Sequence, residues 1–113
     1  MSNEHKPQTL TQDNFGEQVL ESSRPALVDF WADWCAPCRA VAPVVERVAD
    51  QFEDQLTVGK VNVDEEPELA QSYGIRSIPA LLVFRDGQVV DQIAGAVPFG
   101  QLSASVERVL DAA

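Results

Sequence analysis

Ala26-Leu-Val-Asp-Phe-Trp31 runs into Ala32-Asp-Trp-Cys35-Ala-Pro-Cys38, and the pattern of the chain changes at that junction. The first six residues are apolar at every position but Asp29, as in a strand covered on both faces. Beyond the two cysteines, Val41, Val44, Val45, Val48 and Phe52 recur at helical spacing. Pro43 falls inside that pattern, which predicts a kink there. A buried strand, a short turn holding two cysteines and an amphipathic helix make an α/β unit.

Working outward, Thr9-Leu10 reads as the start of a short edge strand. A first helix follows, capped by Thr11 or Asp13, with Phe15, Val19 and Leu20 on one face. Leu56 to Val63 is a second buried-type strand, interrupted by Lys60. Asp64-Glu-Glu-Pro67 caps a short helix through about Tyr73, its acidic residues suited to the positive end of the helix dipole. Gly74 ends it. Ala80–Phe84 and Gln88–Ile93 are strands joined at Asp86-Gly87, a strong hairpin signal. Pro98 opens a last helix with Leu102, Val106, Val109 and Leu110 on its buried side. The order β-α-β-α-β-α-β-β-α implies a mixed sheet with helices on both faces. Residues 1–8 form a loose N-terminal extension in this reading, and 9–113 one domain.

Composition narrows the function. A chain of 113 residues, 45% hydrophobic and 23% charged, has the makings of one folded domain. Its 18 acidic and 8 basic residues give a net charge of -10, which disfavours binding to nucleic acid or to an anionic membrane surface. No apolar run approaches the roughly 18 to 20 residues needed to span a bilayer. The 2 cysteines are too few and too close to staple a secreted scaffold. Met1-Ser-Asn-Glu-His-Lys-Pro7 has no apolar core of a signal peptide. A reducing compartment, the cytoplasm, is expected.

Cys35 follows a strand and opens a helix. Orphan N–H groups and partial positive charge at a helix N-terminus stabilise a thiolate. Pro37 suits the first turn because it has no N–H to leave unbonded. Cys35 and Cys38, three apart on one face, are close enough to join as a disulfide. Cys35 is expected to be the more exposed, more acidic thiol and the nucleophile, with Cys38 placed to resolve a mixed disulfide. Other readings compete. Zinc needs about four ligands, but only His5 and the two cysteines offer side-chain nitrogen or sulfur, so no metal is expected. A c-type haem needs His where Arg39 stands. An inert pair is the third alternative.

Val28-Asp-Phe-Trp-Ala-Asp-Trp-Cys-Ala-Pro-Cys-Arg39 resembles the active-site segment of the thioredoxin family. Ala42-Pro43, Lys60-Val-Asn-Val-Asp64, Tyr73-Gly-Ile-Arg-Ser-Ile-Pro79, Phe84-Arg-Asp-Gly87 and Gly95-Ala96 follow in the family's order. The resemblance covers about residues 9 to 110. It implies a thioredoxin fold, with a central mixed sheet of four to five strands flanked by about four helices. It also implies a thiol-disulfide oxidoreductase. Such a protein is a protein-disulfide reductase and electron carrier in cell redox homeostasis, working as a monomer through a reversible Cys35–Cys38 dithiol/disulfide. No cofactor beyond that disulfide is implied. The implied partners are a thioredoxin reductase as electron donor and disulfide-containing client proteins.

Residue by residue, the resemblance makes Cys35 the attacking sulfur and Cys38 the resolving one. Asp29, whose carboxylate inside an apolar strand is costly unless paired or functional, becomes the general acid/base for Cys38, and Lys60 tunes it. Pro79 is implied to be cis, opposite the cysteines, where Ile78 pairs with an extended client segment. Trp34, Ala36, Pro37, Ile78, Pro79, Gly95 and Ala96 would frame Cys35 as the client-binding surface. The chain departs from the family pattern at Ala36, where Gly is usual, at Arg39 for Lys, at Ala80 for Thr and at Phe99 for Lys. Pro37 rather than His between the cysteines resembles the reducing members. An oxidase or isomerase, or a scaffold without turnover, are the competing functions. Both cysteines, Asp29 and Pro79 being retained favours the reductase. No Gly-rich nucleotide motif is present, so NADPH binding by this chain is not expected.

Overall fold

In the computed structural model, which describes residues 6–112, the apolar run Ala26–Trp31 becomes strand β2 at the centre of a five-stranded sheet. The other strands are β1 (Gln8–Thr9), β3 (Thr57–Asn62), β4 (Ala80–Arg85) and β5 (Gln88–Ala94), in the order β1-β3-β2-β4-β5. β2 pairs parallel with β3 and antiparallel with β4, so the sheet is mixed. Helices α1 (Ala36–Gln51), α2 (Pro67–Ser72) and α3 (Phe99–Asp111) and a π-helical turn (Gly16–Leu20) complete the α/β fold.

The continuous hydrophobicity of β2 has the expected cause: both faces are covered. On one face, Leu27, Leu81 and Val83 pack against Val41, Val45 and Val48 of α1 and Leu102 and Val106 of α3. On the other, Val28, Phe30, Leu82 and Phe84 pack with Leu10, Phe15, Val19 and Leu69. Each such side chain contributes about 1.5–3 kcal/mol when fully buried. Phe84 also meets Phe15 and Tyr73 edge-on, with ring centroids 5.7 and 5.3 Å away.

Local chemistry sets the element ends. Asp86 and Gly87 both have positive φ, 53° and 79°, as the two-residue hairpin turn demands. At the end of α2, the Ile75 N–H donates to Ala70 O and the Gly74 N–H to Gln71 O, with Gly74 at φ 65°. That double bond is the Schellman ending, and it aims residues 75–78 at the cysteines. α1 continues through Pro43 to Gln51, so the proline leaves the Arg39 carbonyl without its usual N–H donor.

Four local expectations need correction. Asp64-Glu-Glu-Pro67 supplies no side-chain cap to α2, whose N-cap is Glu66: the Asp64 carboxylate accepts from the Trp34 indole and Glu66 Oε1 from the Gln12 N–H. The edge strand is Gln8–Thr9, paired with Gly59 and Lys60, one residue earlier than Thr9-Leu10. The first helical turn is organised by Asn14, not capped by Thr11 or Asp13: Asn14 Oδ1 accepts from the Thr11 N–H, and its amide donates to Thr9 O. Leu20 is exposed while Phe15 and Val19 are buried, because a π-type turn carries more residues than the 3.6-residue period assumes.

Candidate functional site

β2 ends at Trp31, and the chain turns through Ala32–Trp34 to reach the first turn of α1. Cys35 is the N-cap of α1, with extended backbone (φ -95°, ψ 105°). Its Sγ accepts the Cys38 N–H at 3.2 Å, a bond to one of the orphan donors of the helix start. Cys35 and Cys38 are joined as a disulfide with Cα atoms 5.2 Å apart. A cysteine sulfur that accepts an N–H at a helix N-terminus is held as a thiolate more readily than in water. Arg39 adds a brace: its guanidinium donates to Asp33 O at 2.7 Å, tying the loop before the cysteine to the helix after it.

Exposure does not separate the two cysteines as expected. Cys35 is 4% exposed and Cys38 3%, both packed in one cluster with Ala32, Trp31, Val63 and Ile78. Their surroundings do separate them. Cys35 Sγ lies 3.7 Å from the Ile78 carbonyl oxygen, at the rim. Cys38 lies one turn inward, on the side of α1 that carries the buried Val41 and Val45.

The Ile78–Pro79 peptide is cis. Pro79 is buried, and its carbonyl oxygen accepts the Gly95 N–H at 2.9 Å, so the backbone links Ile78, beside Cys35, to Gly95. Gly95 has φ 85° and open space where a side chain would stand, a conformation that favours glycine. Ala36, Pro37 and Ala96 are exposed and Ile78 half-buried. Trp34 is 67% exposed, yet it is fixed: its indole Nε1 donates to Asp64 Oδ2 at 2.9 Å. Asn62 Oδ1 in turn accepts the Asp64 and Glu65 N–H groups. The sequence places Asp64 only at the start of α2 and gives Asn62 no role; the Trp34–Asp64 bond spans 30 positions, which no local pattern marks.

Asp29 sits on the α1 face of the sheet, between Leu27 and Trp31 in alternation. It is 1% exposed, and neither carboxylate oxygen has a hydrogen-bond partner among the described residues. Burial pushes its pKa up from 3.8 to about 6, and the Lys60 charge pulls the other way. Lys60 is its register partner on β3 and lays Nζ over the Trp31 ring, 4.5 Å from the centroid. No ion pair joins Lys60 to Asp29 among the described residues; they are neighbours on one rung of the sheet, and the Lys60 charge acts on the carboxyl from there. No cluster of three or more potential metal ligands occurs among the described residues, and no helix among them is long and apolar enough to cross a membrane.

Comparison with known proteins agrees with this geometry. A family model described as Thioredoxin matches residues 6–108. Thioredoxin 1 of Synechococcus elongatus is 55% identical over 101 residues, covering 89% of this chain and 94% of the relative. Thioredoxin of Alicyclobacillus acidocaldarius is 49% identical over 102 residues, covering 90% and 96%. A chloroplastic M-type thioredoxin of Chlamydomonas reinhardtii is 49% identical over 102 residues, covering 90% of this chain and 73% of the relative.

Proposed function

The chain belongs to the thioredoxin family and is a thiol-disulfide oxidoreductase, a protein-disulfide reductase acting by thiol-disulfide exchange, and from that premise we propose how its residues divide the work. In the reduced protein Cys35 is the thiolate and attacks one sulfur of a client disulfide. A Cys35–client bond forms, the client S–S bond breaks, and the departing client thiolate takes a proton from solvent. Cys38 then gives its proton to the Asp29 carboxylate and attacks Cys35 Sγ. The Cys35–Cys38 bond forms, the mixed disulfide breaks, and the second client thiolate is protonated. Two electrons pass to the client.

The observation that carries this division is the Cys38 N–H held on Cys35 Sγ at 3.2 Å, at the start of α1. With a pKa of about 6, Asp29 is ionised roughly ten to one at pH 7. It is therefore a base that can take a thiol proton and a weak enough one to return it. Lys60 keeps that value from rising further. Trp34, Ala36, Pro37, Ile78, Pro79, Gly95 and Ala96 receive the client, whose extended backbone adds alongside Ile78.

In this reading the protein carries electrons as a monomer from a separate thioredoxin reductase to client proteins, in the cytoplasm. The reading is supported by a site that holds one dithiol and by a chain with only 2 cysteines, as suits a reducing compartment. The test is dithiothreitol-driven reduction of insulin, with a Cys38→Ser variant beside wild type. Wild type is expected to accelerate the reaction, and the variant to accumulate a mixed disulfide through Cys35, identified by peptide mass mapping. No acceleration by wild type, or an adduct-free variant, would overturn the assignment.

A further inference from the structure

Residues 75–78 connect the end of α2 to β4 and form one wall of a groove of about 340 Å³, lined by Trp34, Val63, Ile75, Arg76, Ser77 and Ile78. The groove opens beside the reactive sulfur, since Ile78 O lies 3.7 Å from Cys35 Sγ. Its lining is apolar except for Ser77 and one charge, Arg76. That charge is unusual in this chain. Arg39 and Arg85 donate to backbone carbonyls at 2.7 Å, Arg47 and Lys60 lie over aromatic rings, and Arg108 pairs with Asp91. Arg76 is exposed and has no intramolecular partner among the described residues. The nearby carboxylate of Asp64 is engaged with the Trp34 indole.

We propose that Arg76 selects clients, favouring a disulfide whose attacked cysteine has an Asp or Glu within about four residues of it in sequence. This rests on the reductase reading of the site. A client strand laid along 76–78 advances about 3.3 Å per residue, so a side chain two to four residues from the attacked cysteine comes within reach of the guanidinium. A planar five-donor cation matches a carboxylate in shape as well as charge. The net charge of -10 repels acidic clients at long range, but that field is screened beyond about 8 Å at physiological ionic strength. At contact distance the groove presents a cation.

The experiment uses two disulfide-linked peptides, identical except for Glu or Lys three residues from the cysteine. kcat/KM is measured for wild type, Arg76→Glu and Arg76→Lys. Wild type is expected to favour the Glu peptide over the Lys peptide by about two- to fivefold, as for an exposed ion pair. The ratio should shrink toward one at about 0.5 M salt. Arg76→Lys keeps the preference and Arg76→Glu reverses it. An unchanged ratio in Arg76→Glu overturns the selection role while leaving the reductase reading in place. If wild type reduces neither peptide, the reductase reading fails and this inference with it.

Discussion

Replacing Asp29 by Asn removes a buried charge without changing the shape of the side chain, and the structure fixes the size and sign of the effect. The Asp29 carboxyl titrates at about 6 in the folded protein, against 3.8 for an ordinary carboxyl. Between those values the folded state holds a proton that the unfolded state has released. Stability from this group therefore falls as pH rises through that window, and the loss is complete above it. At about 1.4 kcal/mol per pH unit, the window amounts to about 3 kcal/mol. The Asn variant has no such dependence. Its stability relative to wild type should therefore improve by about 3 kcal/mol between pH 3.5 and pH 8, whatever constant penalty the buried amide carries. The measurement is urea unfolding of the oxidised proteins at a series of pH values, which keeps both thiols out of the titration. Wild type and variant losing stability in parallel across that range would show that Asp29 titrates normally, and the base assigned to Cys38 would have to be found elsewhere. Client turnover at pH 7 should fall in the same variant while its fold persists.

Lys60→Gln removes the charge that holds the Asp29 pKa down. The stability loss with rising pH should then extend to higher pH than in wild type, read by the same urea series. Gly59→Ala should destabilise by about 1–3 kcal/mol, because a Cβ there would stand 2.6 Å from Leu10 Cγ; denaturant midpoints measure it. Ser105 is fully buried and donates its hydroxyl to Asp91. Ser105→Ala should cost about 1.5–3 kcal/mol, the range for a hydrogen bond to a charged group, with insulin reduction unchanged.

Much of this could be read before any coordinates. Asp86-Gly87 announced a hairpin because both residues tolerate positive φ, and both adopt it. Asp29 stood out because a carboxylate in an apolar strand needs a reason, and its opposite charge was visible at Lys60. The family resemblance supplied the cis bond before Pro79, which the residues alone would not have indicated. What escaped was tertiary. The bond between Trp34 and Asp64 joins residues thirty positions apart, and neither residue is unusual in its own segment. The outward turn of Leu20 was missed because a helical wheel assumes one period, and the π turn uses another. The expected difference in exposure between Cys35 and Cys38 fails for the same tertiary reason, because both pack into one cluster with Ala32, Trp31, Val63 and Ile78.

The linked cysteines are confined to the opening turn of α1, and the sheet owes them no support. Neither cysteine belongs to the two large clusters that cover the faces of the sheet; they form a small cluster of their own with Ala32. Of the two sulfurs, Cys35 is the one beside the Ile78 carbonyl. Under the proposed carrier role, whatever loads Cys35 and whatever unloads it dock at that single berth, one after the other. Supplier and recipient never need to meet or fit each other, and each excludes the other while it is aboard. A carrier built this way joins otherwise incompatible proteins by taking turns.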